Sequence, residues 1–343
     1  MNLFRKILYP FSLLYGLIIS IRNIAFDKGW LVSNTFDIPV IAVGNLSVGG
    51  TGKSPMIEYL IRLFQTTHHV AVLSRGYGRN TKGFFLAKPG CSAKQVGDEP
   101  FQFYRKFENI VVAVDEKRAR GINTLRQLKP DLNLILLDDA FQHRYVKAGF
   151  YILLTAFNDL YMDDFLLPTG GLREHTKGAE RADLILISKC PEDLSDHDRS
   201  DIIKRIAPKK NQEVFFSSIS YDPYVYNDNQ RIPVNDLNQW QILLVTGIAN
   251  PKPLETFLFN NDVNFAHMKF ADHQFISEKE LDKIADNFRS LKGENKLILT
   301  TEKDFVRSFL DIGLPIYYLP IKTTIMEGKN KLNEIIQNYV RKN

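Results

Sequence analysis

The stretch IPVIAVGNLSVGGTGKSPMIEYLIRLF, residues 38–64, decides the fold. Its apolar start, IPVIAV, reads as a buried strand; SVGGTGKS, residues 47–54, is glycine-rich; and the next ten residues place apolar side chains at helical spacing. Strand, glycine loop and helix in that order are the context a phosphate loop requires. Glycines let successive backbone N–H groups converge on phosphate oxygens, and the helix that follows presents its positive end to them. On this reading Ser47, Val48, Gly49, Gly50, Thr51, Gly52, Lys53 and Ser54 bind a nucleotide, with Lys53 at the β- and γ-phosphates and the Ser54 hydroxyl on Mg²⁺. One position departs from G-x-x-x-x-G-K-[ST]: Ser47 stands where the first glycine is expected.

Outward from the loop, short apolar runs alternate with amphipathic stretches: VAVLS (70–74), IVVAV (110–114), LNLILL (132–137), YILLT (151–155) and DLILIS (183–188). That rhythm predicts a P-loop NTPase-like α/β domain, a parallel sheet with helices on both faces. The pattern loosens in VFFSSISYDPYVYN (214–227) and resumes with QILLVTGIANP (241–251). The expected organisation is an N-terminal helix over 1–28, a kinase-like core over 29–215, an extended linker over 216–238, and a second, smaller α/β domain with a C-terminal helix over 239–343.

Composition removes several function classes. The two cysteines, Cys91 and Cys190, lie far apart without metal-ligand spacing, so neither a disulfide framework nor a zinc site is indicated, and a reducing compartment fits. A formal net charge of +5 without any basic block excludes the usual nucleic-acid signatures and leaves an anionic membrane surface or a phosphorylated lipid as the natural partner. At the N-terminus, Arg5 and Lys6 precede an uncharged run over 7–21 that Arg22 and Lys28 close. As a helix this run covers roughly 22 Å, short of a bilayer core of about 30 Å, so a membrane-associated helix is expected, lying in the interface or spanning with its ends snorkelling. No small-x-small site follows it, which argues against a cleaved signal peptide.

A P-loop protein needs a carboxylate at the end of a neighbouring buried strand, and LNLILLDD ends in Asp138 and Asp139. Asp138 is assigned to Mg²⁺ and Asp139 to a supporting or catalytic role. Guanine specificity would require [NT]-K-x-D after a late strand; the nearest stretch, Ser188-Lys189-Cys190-Pro191, lacks the aspartate. A membrane-recruited ATPase acting as a nucleotide switch is the alternative reading.

Eight segments, in order, then carry a resemblance: GNLSVGGTGKSP, SRGYGR (74–79), VGDEP (96–100), LDDAFQHR (137–144), LPTGGLRE (167–174), TGIANP (246–251), ADHQF (271–275) and TTEKD (300–304). Together the chain resembles the tetraacyldisaccharide 4′-kinase family. The resemblance implies transfer of the ATP γ-phosphate to a tetraacyldisaccharide 1-phosphate at the cytoplasmic face of a bacterial inner membrane; no obligate protein partner is evident in the sequence. It also points to Asp98 as the base that takes the acceptor proton, with His273 as its partner, and to Glu174 near the metal. Arg75, Arg79, His143 and Arg173 are expected around substrate or transferred phosphate. Ala140 and Gln274 depart from the family pattern, which has glycine and a second histidine there.

Overall fold

The computed structural model describes residues 7–272, 274–310 and 312–343. The chain divides into two compact units, residues 1–219 with 322–343, and residues 220–321. The first unit is built on a nine-stranded sheet. In chain order its strands are β1 (Val40–Asn45), β2 (Val70–Ser74), β3 (Phe85–Leu86), β4 (Ile110–Val114), β5 (Leu134–Asp138), β6 (Phe150–Ala156), β7 (Leu184–Ser188), β8 (Glu213–Tyr221) and β15 (Ile321–Ile325). Their spatial order is β15-β8-β7-β6-β1-β5-β2-β4-β3.

β1 lies at the middle of that sheet, parallel to β5 on one side and β6 on the other. Its side chains alternate between two cores, as a strand's period of two demands. Ile41 and Val43 pack with Met56, Ile57 and Leu60 of the helix Lys53–Phe64, while Val40 and Ala42 pack with Ile122 and Leu125 of the helix Arg118–Leu128. Both faces are therefore covered, as the run of apolar residues predicted. Because β1, β2 and β4 to β8 are parallel, with β3 antiparallel to β4 at the edge, their carboxyl ends share one side, where the loops after β1, β2, β5 and β7 emerge.

The second unit carries β9 (Tyr224–Tyr226), β10 (Arg231–Pro233), β11 (Gln241–Thr246), β12 (Phe265–Lys269), β13 (Lys296–Thr301) and β14 (Ile316–Leu319), in the order β10-β9-β14-β13-β11-β12. The expected boundaries need two corrections. The stretch 216–238 is largely extended but is not a free linker: β8 belongs to the first sheet, and β9 and β10 form an antiparallel pair in the second. The C-terminal helix Lys329–Lys342 belongs to the first unit, because Leu332, Ile336 and Val340 complete the core under β1 and β6.

The helix Tyr9–Asp27 is long and apolar enough to cross a membrane by length and composition. It extends past the uncharged run, since Arg22 is taken up by hydrogen bonding to the Gln142 carbonyl at 3.2 Å. Small and polar residues make its contacts with the first unit. Ser12 Oγ bonds Thr169 Oγ1 at 2.7 Å, and Tyr15 donates to the Arg173 carbonyl at 2.8 Å. Phe11, Leu13, Leu14, Leu17, Ile18 and Ile21 are more than half exposed, the reverse of a soluble core helix.

Candidate active site

The loop after β1 is fixed from both sides. Val48 N–H donates to the Gly171 carbonyl at 2.7 Å, Arg173 N–H donates to the Leu46 carbonyl at 2.7 Å, and Ser47 forms a bridge with Leu172. This explains the serine in place of the first glycine: Ser47 is buried in a short antiparallel pairing with negative φ, where a side chain fits. Gly49 and Gly52, by contrast, have φ of 111° and 83°, conformations that favour glycine. Gly52 caps the helix Lys53–Phe64, whose first-turn N–H groups and positive dipole end face the loop.

Lys53 and the β5 carboxylates meet at the sheet edge. Lys53 Nζ lies 3.6 Å from Asp139 Oδ1 and 3.3 Å from Asn45 Oδ1. Arg173 Nη1 reaches both oxygens of Asp139 at 3.0 Å. Burial opposes the Asp139 charge, but Lys53 and Arg173 outweigh it and hold this carboxyl below its usual range. Asp138, at the end of β5 and beside Val43 of β1, sits in a different field. Burial, then Asp139 and Glu99, raise its pKa to about 6, and Ser74 Oγ donates a single hydrogen bond to it at 3.2 Å. Two adjacent carboxylates thus differ in acidity because one is paired and the other is buried among like charges.

Behind Asp138 stands Arg118, which donates to its carbonyl at 3.3 Å. Burial lowers the Arg118 pKa to about 10 against the pull of Asp138 and Asp139. His143 is half-buried nearby, with its Nε2 enclosed and without a hydrogen-bond partner among the described residues. Burial, then Arg118, Arg22 and Arg75, lower its pKa to about 4, so it is a neutral imidazole at physiological pH. Arg75 itself is exposed.

Asp98 opens the helix Asp98–Lys106 directly after Gly97, whose φ is 95°. A Cβ on Gly97 would sit 3.0 Å from the Tyr77 carbonyl, so the close packing of the SRGYGR loop sets where Asp98 emerges. Glu99 beside it contributes to the field on Asp138, which brings the start of this helix to the same edge. His273 lies outside the described residues.

Two expected site residues are engaged in ion pairs of their own. Arg79 ion-pairs with Glu116 and donates to the Gly83 carbonyl at 2.7 Å; its side chain is buried, and these contacts clasp its own loop. Glu174 is buried, with Arg181 at 2.8 Å, Gln142 at 3.0 Å and Asn23 at 3.4 Å on its carboxylate. It is the hub joining the N-terminal helix to the segment that carries Arg173. Among the described residues no group of three or more His, Cys, Asp or Glu is arranged as a metal cage.

Asn45, Ser74, Gln142 and Arg118 were not singled out from the sequence. Gln142 donates to the Asn45 carbonyl at 2.8 Å as well as to Glu174, so it fastens the end of β1 to the helix hub. Its position in FQH and that of Asn45 directly before the loop were the available signals. Arg118 had none, since DEKRAR reads as an exposed charge run.

A parallel sheet with a glycine loop after its central strand, an invading lysine and a strand-end carboxylate pair defines a P-loop phosphotransferase or nucleotidase. The comparisons narrow this. A family model described as tetraacyldisaccharide-1-P 4′-kinase matches residues 4–341. The tetraacyldisaccharide 4′-kinase of Flavobacterium johnsoniae is 48% identical over 345 residues, covering 100% of this chain and 99% of the relative. That of Bacteroides thetaiotaomicron is 44% identical, covering 98% of this chain and 94% of the relative. The crystal structure of LpxK from Aquifex aeolicus in complex with ATP superposes with a TM-score of 0.80 at 28% identity, covering 98% of this chain and 100% of that one. The chain belongs to the tetraacyldisaccharide 4′-kinase family, kinases of lipid A biosynthesis.

Proposed function

We propose that this chain transfers the γ-phosphoryl group of ATP to the 4′-hydroxyl of a tetraacyldisaccharide 1-phosphate, giving the 4′-phosphorylated lipid (lipid IVA) and ADP, at the cytoplasmic face of the inner membrane. The observation that carries the reading is the meeting of Lys53, Asp138, Asp139 and Arg173 beside the glycine loop. Loop N–H groups and Lys53 hold the β- and γ-phosphates, and Arg173 offsets charge on the transferring group. The acceptor oxygen forms its bond to Pγ as the bond from Pγ to the β-γ bridging oxygen breaks and ADP leaves; Asp98 accepts the hydroxyl proton.

The donor set suits Mg²⁺ carried in with ATP. Asp138 is a buried carboxylate whose charge is poorly compensated, and the Ser54 hydroxyl makes no hydrogen bond to another described residue. Hard oxygen donors, few in number, leave the remaining positions to phosphate and water, as Mg²⁺ prefers. When bound, the ion neutralises phosphate charge; Ser54 and Asp138 would hold it. The exposed apolar face of the helix Tyr9–Asp27 supports placement against a membrane whose lipid is the acceptor. The test is transfer of labelled γ-phosphate to tetraacyldisaccharide 1-phosphate in detergent micelles. Mg²⁺-dependent labelling that Lys53→Ala and Asp98→Ala both abolish is expected; ATP binding by folded protein without lipid labelling would overturn the reading.

A further inference from the structure

The Ser188-Lys189 pair, read from the sequence only as a failed guanine motif, lies against the glycine loop. Ser188 ends β7, two strands from β1, at the edge where the loop emerges. Its hydroxyl donates to the Thr51 carbonyl at 2.8 Å, with the Thr155 carbonyl also near at 3.2 Å. The end of β7 is thereby tied to the middle of the loop. Lys189 follows with φ of 58°, a left-handed conformation uncommon for a non-glycine residue, which redirects the chain at this point. Its Nζ comes within 3.8 Å of where a Cβ on Gly50 would stand.

Lys189 has no hydrogen bond or ion pair from its ammonium to any described residue. The surrounding protein and then the like charge of Lys53 lower its pKa. Two lysines thus converge on one loop, and only Lys53 has a carboxylate beside it. Lys189 is exposed, so its ammonium faces solvent without a protein counter-charge, and its backbone sets it beside amides built for anions, an arrangement open to an anionic ligand. We infer that Lys189 is a second phosphate-binding lysine of the nucleotide site, contacting the polyphosphate of ATP over Gly50. The inference rests on the reading of residues 47–54 as the nucleotide loop and adds a residue from a different strand.

The experiment compares Lys189→Met, Lys189→Arg and Lys53→Ala by calorimetric titration with ATP, ADP and adenosine, after confirming the fold by circular dichroism. Lys189→Met should weaken ATP about tenfold, the scale of one charge-assisted contact, with a shallower salt dependence, and leave adenosine binding within twofold. Lys189→Arg should recover most of the ATP affinity, which a packing role alone would not produce. Should Lys189→Met leave ATP affinity unchanged while Lys53→Ala loses it, the inference fails and the nucleotide loop stands. Equal losses for ATP and adenosine would also overturn it, since they mark loop support or a nucleoside contact. If Lys53→Ala has no effect either, the loop reading itself fails. A Lys189→Met protein that does not fold leaves Lys189→Arg and Lys189→Gln to decide, by whether affinity follows charge.

Discussion

Replacing Asp138 by Asn should stabilise the metal-free protein, and by an amount that depends on pH. The Asp138 carboxyl has a pKa of about 6 in the fold against an ordinary value of 3.8. The folded protein therefore keeps its proton to higher pH than the unfolded chain does, and stability is lost as pH rises from about 4 to 6. At about 1.36 kcal/mol per unit, the full cost well above pH 6 is on the order of 3 kcal/mol, and roughly half of it is already present at pH 5. Asn carries no such cost, but its amide does not replicate every contact of a carboxyl, which adds a pH-independent offset. The decisive quantity is the change in the mutational effect between pH 5 and pH 8, on the order of 1 kcal/mol in favour of the variant, because that offset cancels. Urea unfolding in EDTA, read by pulsed hydrogen exchange on peptides from Leu134–Asp138, isolates the first unit. A mutational effect flat between pH 5 and 8, or one favouring wild type as pH rises, would refute the idea that a charged Asp138 is held at a cost. Phosphoryl transfer should be abolished in the same variant, showing that the stabilising change removes a functional charge.

Magnesium with ATP should raise the melting temperature of the wild-type protein much more than that of Asp138→Asn; equal shifts in a thermal melt would remove Asp138 from the metal assignment. Arg79→Met should lower stability by about 1–2 kcal/mol in urea unfolding while leaving the KM for lipid unchanged, since its partners are Glu116 and its own loop. Glu174→Ala strips the buried carboxylate from half-buried Arg181 and Gln142, and a loss of about 2–3 kcal/mol, with faster proteolysis of the N-terminal helix, is expected; an unchanged cleavage rate would contradict the hub role. Gly97→Ala forces a side chain into a left-handed conformation against the Tyr77 carbonyl, so kcat should fall at least tenfold for a stability loss of about 1–3 kcal/mol, measured by lipid phosphorylation beside a thermal melt.

The first sheet was legible because its strands are buried on both faces and its glycine loop sits between a strand and a helix, so local pattern and global fold agree. Where the chain changes partners, that agreement ends. β8 and β15 close the edge of the first sheet from opposite sides of the second unit in sequence, and a C-terminal helix with an ordinary apolar stripe gives no sign of which core it covers. The site shows the same division. Lys53, Asp138 and Asp139 follow from backbone geometry that a motif encodes. Arg79 and Glu174 belong to matching motifs, yet their charges are neutralised by Glu116 and Arg181, partners that no spacing rule connects to them. The converse holds for Lys189. Its motif fails as a base reader, but the strand order puts β7 beside β6 and so within reach of the loop after β1, where a lysine can act without the missing aspartate. A motif reports the backbone that holds a residue; whether its charge is available depends on the neighbours the topology supplies.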